Sequence, residues 1–314
     1  MQILVTGATG FLGRHLMPVL EDRYGRQNVR GLSSRDYDLM DSVQVERMFV
    51  TEKPDVLVHL AAFSGGIGAN CELPADFYFR NTLLTALVFE GAAKHGIKKM
   101  IYTMGGCSYP ADARSPIDED QMWRGYPQPE SAAYSTAKKM GIVASRAYRK
   151  QHGLSSVVLI PGNMYGEYDN FRPRESHVIP AMVRRTFEAR RAEAERVTMW
   201  GTGCPVRDFV YARDVAAIFP YFIDHYDSSE PVNISSGTTT TIRELAEMVK
   251  ETTGFEGEIA WDMSKPNGQR IKTFDVKRLK GLGLSCRTPL QDGLQSTSNW
   301  LAQNYESRSD GIRL

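Results

Sequence analysis

The stretch Gln2-Ile3-Leu4-Val5-Thr6-Gly7-Ala8-Thr9-Gly10-Phe11-Leu12-Gly13 decides the fold. Residues 2–6 read as a short buried strand, and a helical pattern follows from about residue 14 to residue 21. Between them, glycine recurs at every third position. In that context the spacing has a physical meaning. Glycine allows the tight turn, lets a pyrophosphate approach the backbone and packs helix on sheet, while the helix N-terminus faces the phosphates. A dinucleotide site built from Gly7, Thr9, Gly10, Phe11, Leu12 and Gly13 is the expectation. A glycine turn with no ligand is the plainer alternative.

Outward from this turn, strand-like runs recur at 29–32, 56–59, 99–103 and 156–160, alternating with helical stretches near 42–52, 75–95 and 131–152. Such alternation predicts βαβ units. The expected fold is α/β: a Rossmann-type doubly wound parallel sheet with a smaller α/β C-terminal substrate-binding portion. Residues 1–162 form the dinucleotide domain and 163–314 mainly the substrate domain, partly interleaved with the first. Segment 162–178, rich in Gly, Asn, Tyr, Arg and Pro, reads as a long functional loop. A helix over about 179–195, a turn at Trp200-Gly201-Thr202-Gly203, a helix at 241–253 and a strand at 257–262 follow.

Composition narrows the class. The 314 residues carry 38 Lys and Arg against 37 Asp and Glu, a net charge of +1, so no basic stripe for nucleic acid is expected. No apolar run approaches about 18 residues, which argues against a membrane span. The first residues lack the basic region of a secretion signal. Cys71, Cys107, Cys204 and Cys286 are scattered without a Cys-x-x-Cys pair, which suggests free thiols in a cytoplasmic protein and no metal centre.

Two further motifs carry chemistry. The second strand ends in Leu32-Ser33-Ser34-Arg35, where an NAD site usually places an acid; hydroxyls and a guanidinium suit a 2′-phosphate, so NADP is favoured over NAD. Asp36 and Asp38 alternatively cap the next loop. Tyr134-Ser135-Thr136-Ala137-Lys138 places a phenol and an ammonium one helical turn apart. The ammonium is expected to lower the phenol's pKa and make it a usable proton donor and acceptor. A solvated surface pair is the bland reading of the same spacing.

These motifs stand with others in chain order: Ala61-Ala62, Gly65-Gly66-Ile67-Gly68-Ala69-Asn70, Pro74-Ala75-Asp76-Phe77 running to Asn81, and Cys107-Ser108-Tyr109-Pro110. Asn163-Met164-Tyr165-Gly166, Asp169-Asn170-Phe171, Ser176-His177-Val178-Ile179-Pro180 and Ser264-Lys265-Pro266-Asn267-Gly268 continue the series. Over nearly its whole length the chain resembles the GDP-L-fucose synthase family of extended short-chain dehydrogenases/reductases. That resemblance implies one site for two reactions. Cys107 and His177 act as base and acid to invert C3 and C5 beside a C4 ketone; NADPH then reduces C4 while Tyr134, beside Lys138, supplies a proton. It places Ala61, Ala62, Asn81, Lys138, Pro161, Asn163, Met164 and His177 on the NADP. The GDP-sugar falls to Asn163, Val178, Arg185, Trp200, Arg207 and Asn267, with Arg270 added for its charge. It also implies a homodimer built on helices around 80–95 and 131–150. Without the resemblance, Cys107 reads as a small buried residue and His177 as a helix cap.

Two positions depart from the family: an acid is usual where Asn267 stands, and the second departure is the more serious. Two residues before Cys107, where a Ser or Thr hydroxyl is usual, stands Gly105. Strand alternation would put Thr103, Gly105 and Cys107 on one face. An ordered water, a bulkier sugar and an altered residue are three open accounts of the glycine. A reductase or epimerase for a different GDP-sugar, or a catalytically silent dinucleotide sensor, are the competing functional readings.

Overall fold

The computed structural model describes residues 1–173, 175–265 and 267–307. Its first half alternates β1 (Ile3–Thr6), α1 (Phe11–Tyr24), β2 (Val29–Leu32), α2 (Ser42–Glu52), β3 (Val56–His59), α3 (Ile67–Glu72), α4 (Pro74–Lys94), β4 (Lys99–Thr103), α5 (Ala132–His152) and β5 (Ser155–Pro161). The second half begins with β6 (Asn163–Tyr165), α6 (Val178–Arg191), β7 (Arg196–Trp200), β8 (Val206–Arg207), β9 (Phe209–Tyr211), α7 (Ala212–Ala217) and α8 (Phe219–Asp224). It ends with β10 (Val232–Ile234), β11 (Thr240–Thr241), α9 (Ile242–Thr253), β12 (Glu258–Asp262), β13 (Ile271–Lys272), α10 (Lys277–Gly281) and α11 (Leu290–Asn304).

The main sheet is wholly parallel, in the order β10-β5-β4-β3-β1-β2. The chain leaves β1 on one side for β2 and returns to the other side for β3. In open α/β sheets a ligand binds outside the carboxyl ends of the strands at this reversal. Alternation along β1 explains why its apolar run is continuous. Ile3 and Val5 pack with Leu12, Leu16, Val215 and Phe219 on one face, while Leu4 packs with Phe49, Leu57, Val88 and Met100 on the other. A third cluster, with Ile179, Val183, Met199, Phe209, Leu245 and Leu301, holds the smaller portion together. Small sheets β12-β7 and β11-β8-β13 lie in the second half.

Several expectations need correction. The 162–178 segment is not all loop, because Asn163–Tyr165 pairs in parallel with Phe209–Tyr211. Helix α1 starts at Phe11, three residues before the apolar periodicity suggests. Helix α11 was not anticipated: its buried face includes Gly293, Thr297 and Ser298 beside Leu294 and Leu301, so hydrophobic periodicity is faint there. Pro266 of the Ser-Lys-Pro-Asn-Gly run lies outside the described residues.

Candidate active site

At the end of β1 the chain turns through Gly7, whose φ of +75° favours glycine. A Cβ on Gly7 would lie 2.8 Å from the backbone nitrogen of Ala61, and one on Gly13 would lie 2.4 Å from the Gly7 carbonyl oxygen. The turn, the α1 N-terminus and the loop after β3 are therefore in direct backbone contact. Asn81, buried on α4, fixes that loop from below: its amide donates to the Phe63 and Phe77 carbonyls and accepts from the Phe63 N–H at 3.0 Å. Its side chain thus shapes the Ala61–Ala62 wall. At the tip of β2, Asp36 accepts from the backbone N–H and hydroxyl of Ser33, both at 2.8 Å, which lowers its pKa. The acid caps the turn, and Ser34 and Arg35 are exposed beside it.

The Tyr134–Lys138 pair lies on α5 against the carboxyl ends of β3 and β4. Lys138 is 1% exposed, and its Nζ sits 4.3 Å from the centre of the Tyr102 ring with no hydrogen-bond partner. Burial lowers its pKa to about 7, opposed by the negative charge of Cys107. The expectation for Tyr134 needs correction. Burial, followed by the charge of Cys107 and the nearby Tyr102, pushes its phenol up rather than down. A protonated phenol is the form that donates to a carbonyl oxygen.

Cys107 is half-buried in a single helical turn, Gly106–Ser108, that begins after β4. The expected alternation of Thr103, Gly105 and Cys107 therefore fails, because the strand ends at Thr103. A Cβ on Gly105 would meet the Cys107 Sγ at 3.2 Å, whereas one on Gly106 would strike the Phe274 ring at 2.4 Å. Lys272 on β13 is the residue the sequence reading missed. It is lowered by burial, raised by Cys107 and lowered by Arg207, so Cys107 interacts with two lysines, one from each half of the chain. Lys272 follows the Ser264–Gly268 motif by four residues, and its pairing with Arg207 is visible only in the β13–β8 register.

His177 is exposed at the N-terminal boundary of α6. The loop before it rests on Gly66, where a Cβ would lie 2.7 Å from the Glu175 carbonyl oxygen; this close approach explains the Gly65-Gly66 motif. On the same side, Arg185 of α6 lies 5.1 Å from the centre of the Trp200 ring, which is 54% exposed, and Lys265 lies 5.8 Å from it. Val178 opens α6. Asn267 accepts from the Thr202 N–H at 2.8 Å and closes the turn behind Trp200. Arg207 is lowered by burial and donates to the Val206 carbonyl, while Arg270 accepts from the Val206 N–H through its backbone. Asn163 donates to the Asp208 carbonyl, joining β6 to β9, and Pro161 and Met164 flank it. Arg184 and Arg190, on the same helix, donate to the Phe171 and Thr253 carbonyls. Among the described residues no three His, Cys, Asp or Glu side chains cluster to hold a metal, and no helix is long and apolar enough to cross a membrane.

The family described as NAD dependent epimerase/dehydratase matches residues 3–235. GDP-L-fucose synthase 1 of Arabidopsis thaliana is 40% identical over 98% of this chain and 95% of its own length. GDP-L-fucose synthase of Escherichia coli is 34% identical over 97% of this chain and 98% of its own. Among solved structures, a GDP-L-fucose synthetase from Naegleria fowleri bound to NADP superposes with a TM-score of 0.89 at 26% identity, covering 100% of this chain and 97% of that one.

Proposed function

Because the chain belongs to the NAD dependent epimerase/dehydratase family, we propose that its cleft performs the two-step chemistry of a GDP-L-fucose synthase: epimerisation at C3 and C5 of a GDP-4-keto-6-deoxy-hexose, then reduction at C4. The enzyme is an NADP-dependent oxidoreductase with epimerase activity. The observation that carries this reading is that Tyr134, Lys138 and Lys272 all feel the charge of Cys107, in the turn after β4 at the carboxyl end of the sheet. Full-length likeness to the Arabidopsis enzyme supports the choice of substrate.

The glycine cradle at Gly7 and Gly13 and the unpartnered buried ammonium of Lys138 fit a dinucleotide. Gly10, Thr9, Phe11 and Leu12 would hold its pyrophosphate, Ser33, Ser34 and Arg35 the 2′-phosphate that favours NADP over NAD, and Ala61, Ala62 and Met164 its walls. When bound, NADPH supplies the hydride. The remaining work belongs to the chain. A C4 carbonyl acidifies the neighbouring C–H bonds, so Cys107 can remove a proton from C3 or C5 to give an enolate, and His177 can return one to the opposite face. Tyr134 donates to the C4 oxygen as charge develops there. Arg185, Arg207, Lys272 and Arg270 supply positive charge for the GDP diphosphate, and Trp200 offers a flat exposed face to the guanine or ribose.

In this reading residues 1–162 chiefly bind NADP and 163–314 chiefly the GDP-sugar. The protein acts in the cytoplasm as a homodimer joined through α4 and α5, where Tyr78, Phe79, Met140 and Val143 are exposed apolar residues. Incubation with NADPH and GDP-4-keto-6-deoxymannose in deuterium oxide tests the proposal: NADPH absorbance falls and deuterium enters the sugar at C3 and C5. Neither signal appearing overturns it.

A further inference from the structure

The turn that carries Cys107 is built from residues that do not hold a shape by themselves. Gly105 and Gly106 precede the thiol in succession, and glycine gives the backbone its greatest freedom. Only one turn of helix follows. It is closed by the Ser108 N–H on the Gly105 carbonyl at 3.0 Å and, more weakly, by the Tyr109 N–H on the Gly106 carbonyl at 3.5 Å. A group that removes a proton must be held near its working geometry, and a misplacement of about 1 Å can cost roughly a hundredfold in rate. The rigidity has to come from outside the turn.

Tyr109 supplies it. The residue is 1% exposed, and its hydroxyl donates to Asn233 Oδ1 at 2.6 Å. Asn233 is the middle residue of β10 and is wholly buried. Its Nδ2 donates to the carbonyls of Ile117, at 2.9 Å, and Asp275, at 3.1 Å, while its backbone N–H donates to Glu119 Oε1 at 2.8 Å. One amide thus joins the Cys107 turn to β10, to the 117–119 segment and to the stretch that follows Lys272. A second contact grips the other end of the turn. The Phe274 ring stands 6.1 Å from the Tyr109 ring, and it is the ring that a Cβ at Gly106 would meet at 2.4 Å. Cys107 lies between these two holds. Packing against Phe274 needs only the aromatic ring of Tyr109; the buried hydroxyl adds direction, because a hydrogen bond fixes an angle as well as a distance.

We propose that Tyr109 is a positioning residue for Cys107: its hydroxyl ties the end of the glycine-led turn to Asn233, and that tie sets where the thiol stands in the cleft. The catalytic consequence rests on the role assigned to Cys107 above; the anchoring of the turn does not.

Tyr109→Phe removes the one oxygen and keeps the ring. Two measurements follow. By amide hydrogen exchange, Ser108 and Tyr109 are expected to exchange about five- to tenfold faster in the variant, the effect of losing one buried hydrogen bond. By deuterium uptake into GDP-4-keto-6-deoxymannose, kcat falls about tenfold or more while KM for the sugar nucleotide is unchanged, since Tyr109 touches none of the groups assigned to the GDP. Tyr24→Phe is the control: it deletes a hydroxyl that donates to Asp224 at 3.0 Å, between α1 and α8, and moves neither quantity. Should Tyr109→Phe fail to fold, Phe274→Leu releases the Gly106 end of the turn and shifts both measurements in the same direction. A folded variant with unchanged amide exchange in the turn overturns the proposal. So does faster amide exchange with an unchanged kcat for deuterium uptake, or a rise in KM that accounts for the whole loss. No deuterium uptake by the parent protein overturns the substrate reading instead, and the anchor then stands or falls on amide exchange alone.

Discussion

Gly105 and Gly106 are neighbours with opposite reasons to lack a side chain. A Cβ at Gly105 meets only the Cys107 thiol, at 3.2 Å, whereas one at Gly106 enters the Phe274 ring. Gly105→Ala is therefore expected to change stability by no more than about 0.5 kcal/mol while slowing deuterium uptake more than NADPH oxidation. Gly106→Ala should cost about 1–3 kcal/mol through overpacking, visible as a lower Tm. Catalytic roles separate in the same assays. Tyr134→Phe abolishes reduction and spares exchange, while Cys107→Ser weakens exchange first; the reverse pattern would show the roles exchanged. Residue types were legible here because Tyr134 and Lys138 sit one turn apart on a single helix. Lys272 was not, because its neighbour Cys107 is 165 positions away in the chain and only the tertiary fold joins them.

Elements whose signals are local read cleanly. Strands β2, β3 and β4 fall where their apolar runs place them, and α9 begins at a capping box in which Thr241 accepts from the Glu244 N–H and Glu244 accepts from Thr241. Thr241→Ala is expected to cost about 1 kcal/mol, measured by urea denaturation. Helix α5 shows where local preference is overruled. Alanine at Gly141 would gain about 1 kcal/mol of helix propensity, but the Tyr102 ring occupies its space, so Gly141→Ala should destabilise the protein on balance. The same helix carries a pH signature. The folded state lowers the Lys138 pKa, so it binds fewer protons than the unfolded chain between about pH 7 and the ordinary lysine range. The resulting penalty is full below about pH 7 and relieved as pH rises. Lys138→Met should remove that rise from a stability-versus-pH curve and abolish reduction. By contrast, the turn after β4 defeated the alternation argument because glycine pairs carry no period; the partner ring at Phe274 decides the conformation.

For the whole molecule, the parallel, doubly wound sheet followed from the alternation of elements, but the order of its strands and the source of its outer strand β10 did not. The proposed dimer places exposed Phe79 and Val143 between two α4–α5 faces. Val143→Glu is expected to shift the mass measured by light scattering toward that of one chain without altering circular dichroism. The sheet's far edge has a different consequence. Strand β10 comes from Val232–Ile234 and pairs with β5, whose residues from Ser156 onward are buried. During synthesis β5 leaves the ribosome about 70 residues before the strand that covers it, so a growing chain carries an uncovered row of aliphatic residues and unpaired backbone groups through that interval. The first half is thus not a module to be cut free: a fragment ending at Gly162 keeps Gly7, Gly10 and Gly13 and still presents an adhesive edge. The second half, far from being an accessory, supplies the strand that closes this edge of the first.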